Sequence, residues 1–599
     1  MNNKYLKKCI AIILSGAMSA GIMCPAVFAK PDDTTAVTIT ATAADGDTFF
    51  VNEQNLIVES DISDKYGYAD SVTDGVSALD ALIKMHEIVY GDDFTPETAK
   101  NYFLYESPSV KTVFQSTIMN FGYVVNHGYA TSLDVKISDG GAFEFFYYQD
   151  TFMYGDVYAR IDDFTAVKGK EITITAEGYM YGWFNPAGGE PELDPIEDVP
   201  LAYIRDNGDI EIIDEDATTD EDGNITITFD EPGVHYITFA DMDTYGSPII
   251  PSVTKVTVTN AEVNQSAIAA YNALTKKYAD SGLSYGNEWV ALGMARGGNA
   301  VSDAYYKSVI DAIKNNELYD KEGAPVISDY SRTILALTAM GKNIDSALFD
   351  AFSSYDAVSR EYPATAAYVL LALNSANGYK LPENGDNTPE KMVSLLVTAL
   401  GNNIIYQMID TPAMIVQSLA PYYRDDDDVK SAVDAAFEKI DAIDTTGSVD
   451  PCSYAQIIIA YTMYGKDPSV WVEKLMEKYN ENEICFNSVS AGGDNDMATE
   501  QGYYALAAYI RYLTDEKTLY DMTDAFCSVT ADGNTYRVYS PFNGLNADII
   551  SANYTDNIFD GADIKTVTLG RGITTFTSSA DKVMLWNSVS GMEPLCKVR

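Results

Sequence analysis

Between Glu288 and Arg511 one pattern recurs six times: a run of small and apolar residues, a turn, then a more polar segment. The runs are EWVALGMARGG from Glu288, DYSRTILALTAMGKN from Asp329, YPATAAYVLLALNSANG from Tyr362, DTPAMIVQSLAPYY from Asp410, CSYAQIIIAYTMYGKD from Cys452 and MATEQGYYALAAYIRY from Met497. Their starts lie 41, 33, 48, 42 and 45 residues apart. A period in that range marks units that cannot bury their apolar faces alone and must stack on their neighbours. The runs are apolar nearly all round, as helices packed on both sides must be. Amphipathic segments starting at Ser266, Ser302, Asn343, Asn387, Asp427 and Asp467 alternate with them and read as outer helices with one face in water. Alternation of this kind can close into a ring of helical hairpins. Thr411–Pro412 and Asp450–Pro451 read as cap and first helical residue, and Thr499 as a further start. Gly297, Gly341, Gly378 and Gly465 fall where the inner helices should stop.

Those runs carry a resemblance. Residues 261–516 resemble the α/α-toroid of the prenyltransferase and terpene-cyclase superfamily, an α6/α6 ring also used by the helical barrel of transcobalamin and intrinsic factor. DTPAMIVQSLA from Asp410 is similar to the Asp-Thr-x-Ala-Met-x-x-x-x-Leu-Ala stretch of the cobalamin carriers. SYAQIIIAYTMYGKDP and TEQGYYALAAY resemble repeat motifs of secreted, clostridial-type toroid proteins.

The first 29 residues suggest export. Lys4, Lys7 and Lys8 precede the apolar run CIAIILSGAMSAGIM, and Val27-Phe28-Ala29 suits cleavage before Lys30, the layout of a secretory signal peptide. Met23 before Cys24 does not suit a lipoprotein. No later stretch reaches the ~18 apolar residues of a membrane span. The expected location is extracellular, with association to the cell surface open. Export permits disulfides among Cys452, Cys485, Cys527 and Cys596. Cys452 and Cys485 lie in one repeat and can pair, and isolated thiols are the alternative. The chain carries 39 Lys plus Arg against 88 Asp plus Glu, a formal charge of −49. That excludes nucleic acid and anionic membrane surfaces as partners. Asp214–Asp222 and Asp425–Asp428 are candidate calcium turns, although neither has EF-hand spacing.

Two β-rich modules precede the helices. Residues 30–162 hold one helix near Val76 and aromatic-rich strands, and resemble the small C-terminal domain of transcobalamin through Ser77–Leu82, the Tyr123–Asn126 strand and the Asp139–Gly140 turn. Residues 163–260 alternate as strands, with NITITF and VHYITF reading as a hairpin about DEPG, and resemble an Ig-like sandwich. Residues 517–599 form a last β module. The expected fold class is therefore multidomain α and β.

Catalytic motifs are scarce. The three histidines, His86, His127 and His235, all precede the helical repeats, which disfavours the zinc chemistry of prenyltransferases. Asp427 and Asp428 superficially resemble a cyclase acid, but they open an outer helix, where carboxylates favour the positive dipole end. Glu500-Gln501 lacks the cysteine of a thioester. The expectation is a non-enzymatic protein whose ring and β module hold a bulky ligand such as a corrinoid, as the carrier resemblance implies. The alternative is a surface adhesion or scaffold protein contacting protein or glycan, and a polyprenyl-type enzyme is a third reading. Inner helices run parallel, so their N-terminal ends gather at one mouth, which would suit an anionic or acceptor-rich ligand. Candidate ligand-binding residues there are Trp289, Asp329, Tyr330, Asp410, Thr411, Tyr454, Glu500 and Gln501, with His127 approaching from the β module.

Overall fold

The computed structural model describes residues 34–596 apart from 43–48, 69–71, 73–74, 108, 118–120, 131, 139–140, 148–155, 182–192, 206–209, 241–242, 245–246, 360–361, 444–448, 489–492, 495, 533–534, 556–557 and 589–593. The expected leader, residues 1–29, and the expected turn at 139–140 lie outside the described residues. Separate apolar cores form along the chain, making it a multidomain protein of α and β structure. Among the described residues no helix is long and apolar enough to cross a membrane.

The N-terminal sheet orders its strands Phe49–Glu59, Thr34–Thr42, Gly141–Tyr147, Phe121–Val125 and Gly128–Tyr129, with the second and third parallel. Helix α1 (Ile62–Lys65) leads to α2 (Ala78–Tyr90), which packs against the Phe49–Glu59 strand. Helix α2 starts at Ser77 because its hydroxyl accepts from Asp80 N at 3.0 Å while Asp80 accepts from Ser77 N at 3.0 Å. This reciprocal pair satisfies two donors that a helix start otherwise leaves orphaned.

The next module stacks two five-stranded sheets around a shared apolar core. The expected hairpin is corrected here. Asn224–Thr228 pairs with Glu171–Thr175, whereas Gly233–Phe239 pairs with Thr254–Thr259 and Leu201–Ile204. The short turn carries the chain from one sheet to another, because both strands have an apolar face that the same core must cover.

Helix α3 (Gln265–Ser281) opens the helical region. Six inner helices follow: α4 (Glu288–Arg296), α6 (Ile327–Ala339), α8 (Pro363–Asn374), α10 (Asp410–Leu419), α12 (Pro451–Met463) and α14 (Asp496–Leu513). Each packs on the next, and α14 packs back on α4. The ring is closed. Outside run α3, α5 (Asp303–Lys314), α7 (Tyr355–Ser359), α9 (Pro389–Leu400), α11 (Asp427–Asp441) and α13 (Ser469–Met476). The segment at Ser346–Phe352 is a 3-10 helix, which places Phe349 and Phe352, both buried, on one edge. Asp450 caps α12 with Pro451 first in the helix, as expected. Helix α10 instead starts at Asp410, with Thr411 and Pro412 inside its first turn, and α14 starts at Asp496, so Thr499 is interior.

The two glycines in GMARG have a packing cause. A Cβ on Gly297 would lie 1.7 Å from the Tyr271 hydroxyl, and one on Gly293 would lie 2.9 Å from Tyr503. Tyr271 of α3 stacks on Tyr503 of α14 at 4.9 Å between ring centroids, and only a bare backbone on α4 leaves room for both.

Residues after α14 turn back across one end of the ring. Leu519, Tyr520, Met522 and Ala525 are buried in the helical core, so the boundary expected at 517 falls inside it. The C-terminal module follows, as two three-stranded sheets around their own core. It docks on the helices through Asn543 N to Gly298 O (2.6 Å) and Ala300 N to Asn543 O (3.1 Å). Its Gly572–Thr577 strand also packs against the Phe49–Glu59 strand, so the N-terminal and C-terminal β modules meet.

Candidate functional site

Side-chain contacts distinguish the two ends of the ring. At the C-terminal end, Met522 N donates to Ser375 O after α8 at 2.8 Å. Asp524 accepts from Arg296 Nη1 on α4 at 2.7 Å and from Arg511 on α14. Glu516 binds Arg511 and Arg571. Segment 519–525 is therefore a plug, pinned by buried charges.

At the other end the helix starts form a mouth. Glu288, first in α4, is buried; its Oε1 accepts from Gly286 N at 2.8 Å, and its Oε2 lies 3.1 Å from Arg332 Nε on α6. Arg332 also pairs with Asp329 at 3.3 Å. Glu500 on α14 has no ion pair among the described residues. Burial first, and then the carboxylates of Asp496 and Glu288, push its carboxyl up to about 7 against the pull of Arg332. Across the mouth, burial and then Asp450 raise the Asp410 carboxyl above its usual range, outweighing its bond to Thr411 N. Asp450 accepts from Cys452 N at 3.1 Å and from Ser488 Oγ at 2.7 Å. Burial, followed by the Asp450 carboxylate, raises the Cys452 thiol, which keeps it protonated.

Below this rim lies an aromatic floor. The Trp289 ring is 5.4 Å from Tyr368 and 5.5 Å from Tyr504. Helices α4 and α8 are not neighbours in the ring, so the first contact spans its interior. Tyr368 also donates to Met414 Sδ at 3.5 Å. Gln417 donates to Gln456 Oε1 at 2.9 Å, and Gln456 donates to Gln501 Oε1 at 3.0 Å and to Tyr504. Gln417 Oε1 is buried and accepts no hydrogen bond.

This geometry brings together Trp289, Asp329, Asp410, Thr411, Glu500 and Gln501; Thr411 meets the Tyr362 hydroxyl at 3.2 Å. Three expected residues lie elsewhere. Tyr454 is buried against Trp471 of outer helix α13 at 6.3 Å, and Tyr330 stands edge-on to Tyr319 at 6.0 Å. Both fill space away from the mouth, because an inner helix has two buried faces. His127 lies 3.3 Å from Glu144 Oε1 and 3.1 Å from the Tyr158 hydroxyl, at the junction of the two β modules. The expected preference for anions is also corrected. Carboxylates of Glu288, Asp410 and Asp450 already occupy backbone amides at the mouth, and among the described residues Arg332 is the cation paired with the acids named here. A ligand at this mouth must bring hydrogen-bond donors or positive charge.

Of the glutamine row only Gln501 was expected; Gln417, Gln456 and Tyr368 were not. Glutamine recurs in AMIVQSLA, SYAQIIIA and TEQGYYALA, with partners 39 and 45 positions apart, which is the repeat spacing. That recurrence was the available signal. Among the described residues no group of three or more His, Cys, Asp or Glu is arranged to hold a metal. Asp220 accepts from Asp222 N and Asn224 N, and Asp426 from Asp428 N and Val429 N, so these acids shape turns. Among the described residues, Cys452, Cys485, Cys527 and Cys596 form no disulfide.

No protein-family model matches the chain. No curated protein matches it in sequence. Among solved structures, trypsin-activated alpha-2-macroglobulin from Escherichia coli is similar at a TM-score of 0.23 and 10% identity, over 84% of this chain and 38% of that one. The chain thus spans well under half of that protein's length, and so slight a likeness carries no functional argument.

Proposed function

We propose that the helical ring is an α/α-toroid acting as the binding funnel of an exported, non-enzymatic protein. In this reading residues 30–162 are a transcobalamin-like module, 163–260 an Ig-like sandwich, and the strands from Ser528 onward a terminal β module beyond the plug. The observation that carries it is the acidic rim, with Glu500 in no ion pair among the described residues, above the Trp289–Tyr368 floor. Such a site suits a bulky ligand with a flat face and donor groups at its edge, and a corrinoid has both. His127 has no role in it, being engaged by Glu144 and Tyr158.

The test is to mix residues 30–599 with cobalamin or cobinamide, desalt, and record the visible spectrum. A retained corrinoid band is expected, with Trp289→Ala and Glu500→Lys each weakening retention about tenfold or more. A colourless protein, with no competition by either corrinoid, overturns the carrier reading. The second reading is surface adhesion or scaffolding. It is favoured by the side chains of Trp289, Tyr368, Tyr504 and Tyr520 filling the ring, which leaves a shallow acidic face for a protein or glycan partner. Binding to whole cells that Glu500→Lys abolishes would support it.

A further inference from the structure

At the plugged end, away from the mouth, the N-terminal and C-terminal β modules face each other across a cleft of about 480 Å³. Glu59, Lys65 and Thr95 line one wall, and Ser551, Lys565 and Ser579 line the other. A chain of alternating charges runs along its base. Lys565 pairs with Glu59, and Lys84 donates to Glu87 Oε2 at 2.8 Å. Glu87 Oε1 accepts from Lys65 at 3.2 Å and from the Tyr66 hydroxyl at 2.7 Å. Lys84 is almost wholly buried, so this arrangement is built into the module's core.

One atom in it is unsatisfied. Glu59 Oε2 is buried, accepts no hydrogen bond, and stands 3.6 Å from Lys84 Nζ, beyond hydrogen-bond reach. The ion pair with Lys84 balances the charge of this oxygen, which the cleft does not reach, while the Glu59 side chain as a whole is 36% exposed and lines the cleft, where it can accept from a ligand hydroxyl or amide.

We propose that this cleft binds a neutral saccharide of about disaccharide size. Its volume lies within the roughly 300–1,000 Å³ of small-molecule sites, and a junction between domains is where such sites concentrate. Lys65, Lys84 and Lys565 balance Glu59, Glu87 and Asp563, so the base has donors and acceptors in equal supply and no net field that would select an ion. Hydroxyl-bearing side chains stand on both walls. Tyr66, Phe94 and Phe576, largely buried, also line the cleft and add a small apolar surface for the C–H groups of a sugar ring. The site is separate from the ring mouth, and its occupancy does not depend on what the mouth binds.

The test uses residues 30–599 titrated with maltose, cellobiose and N,N′-diacetylchitobiose, followed by saturation-transfer NMR and calorimetry. At least one is expected to bind. Ser579→Trp fills the cleft from an exposed position outside the charge chain, and should lower affinity at least about tenfold with Tm unchanged. Glu59→Gln should weaken binding through the lost acceptor, whereas retention of a corrinoid at the mouth should be untouched by either variant. Silence of all three sugars, binding that survives Ser579→Trp, or a response to glucuronate in place of neutral sugars would overturn the proposal.

Discussion

Arg296, at the C-terminal end of the first inner helix, donates through Nη1 to Asp524 at 2.7 Å, and that bond holds the plug in the ring. Arg511 of the last inner helix shares the same carboxylate, so Asp524 sits where the ring closes. The Arg296 and Arg511 side chains are each 3% exposed.

Asp524→Ala should therefore leave two guanidiniums buried without their shared partner. Removing one member of such a network costs roughly 3–5 kcal/mol. Lys276→Ala, which breaks an exposed pair with Asp280, should cost under about 0.5 kcal/mol. Calorimetric unfolding of both variants checks this, and equal small losses would mean that the plug adds nothing to the ring.

Glu500 makes stability depend on pH in a definite direction. Its folded-state value of about 7 lies above the 4.5 of a free side chain. Between those values the folded protein holds a proton that the unfolded chain releases, so stability falls as pH rises across that window. Glu500→Gln should raise Tm at pH 8 and leave it unchanged at pH 4. An equal shift at both pH values would sink this account.

His127 behaves in the opposite sense to a buried neutral histidine. Burial opposes its protonation, but the hydrogen bond and charge of Glu144 outweigh burial and raise it above 6.5. Its stabilisation is then fully present below pH 6.5 and is lost as pH rises through the folded value. His127→Gln should lower the melting temperature of the β region at pH 5.5 and change it little at pH 9, as followed by melts at the two pH values.

Gly297→Ala should destabilise the ring by about 1–3 kcal/mol, because its new methyl meets the Tyr271 hydroxyl in a packed core. Adding Tyr271→Phe should recover part of that loss. Urea titrations of the two singles and the double measure the coupling, and strictly additive losses would show that the clash lies elsewhere.

The helical repeats were readable because their signals are local. Asp450 caps α12 and Pro451 follows it in sequence, and Gly341 and Gly465 adopt positive φ just past α6 and α12. The misplacement of Tyr330 and Tyr454 has a physical cause. Helical spacing reports that a residue is buried, but an inner helix apolar all round presents one buried face to the ring interior and another to the outer layer. The Asn224–Thr228 and Gly233–Phe239 strands are a parallel case, since alternation marks a strand and leaves its partner open.

By itself, the sequence determined the repeat period, the alternation of inner and outer helices and the acidity of the whole chain, since each depends on neighbouring residues or on simple composition. Only the tertiary structure decided which acids face one another at the mouth, that segment 519–525 plugs the opposite end, and that Glu59 meets Lys565 across 506 positions. Those contacts follow from ring closure and module docking, where the partners are brought together by the packing of everything between them.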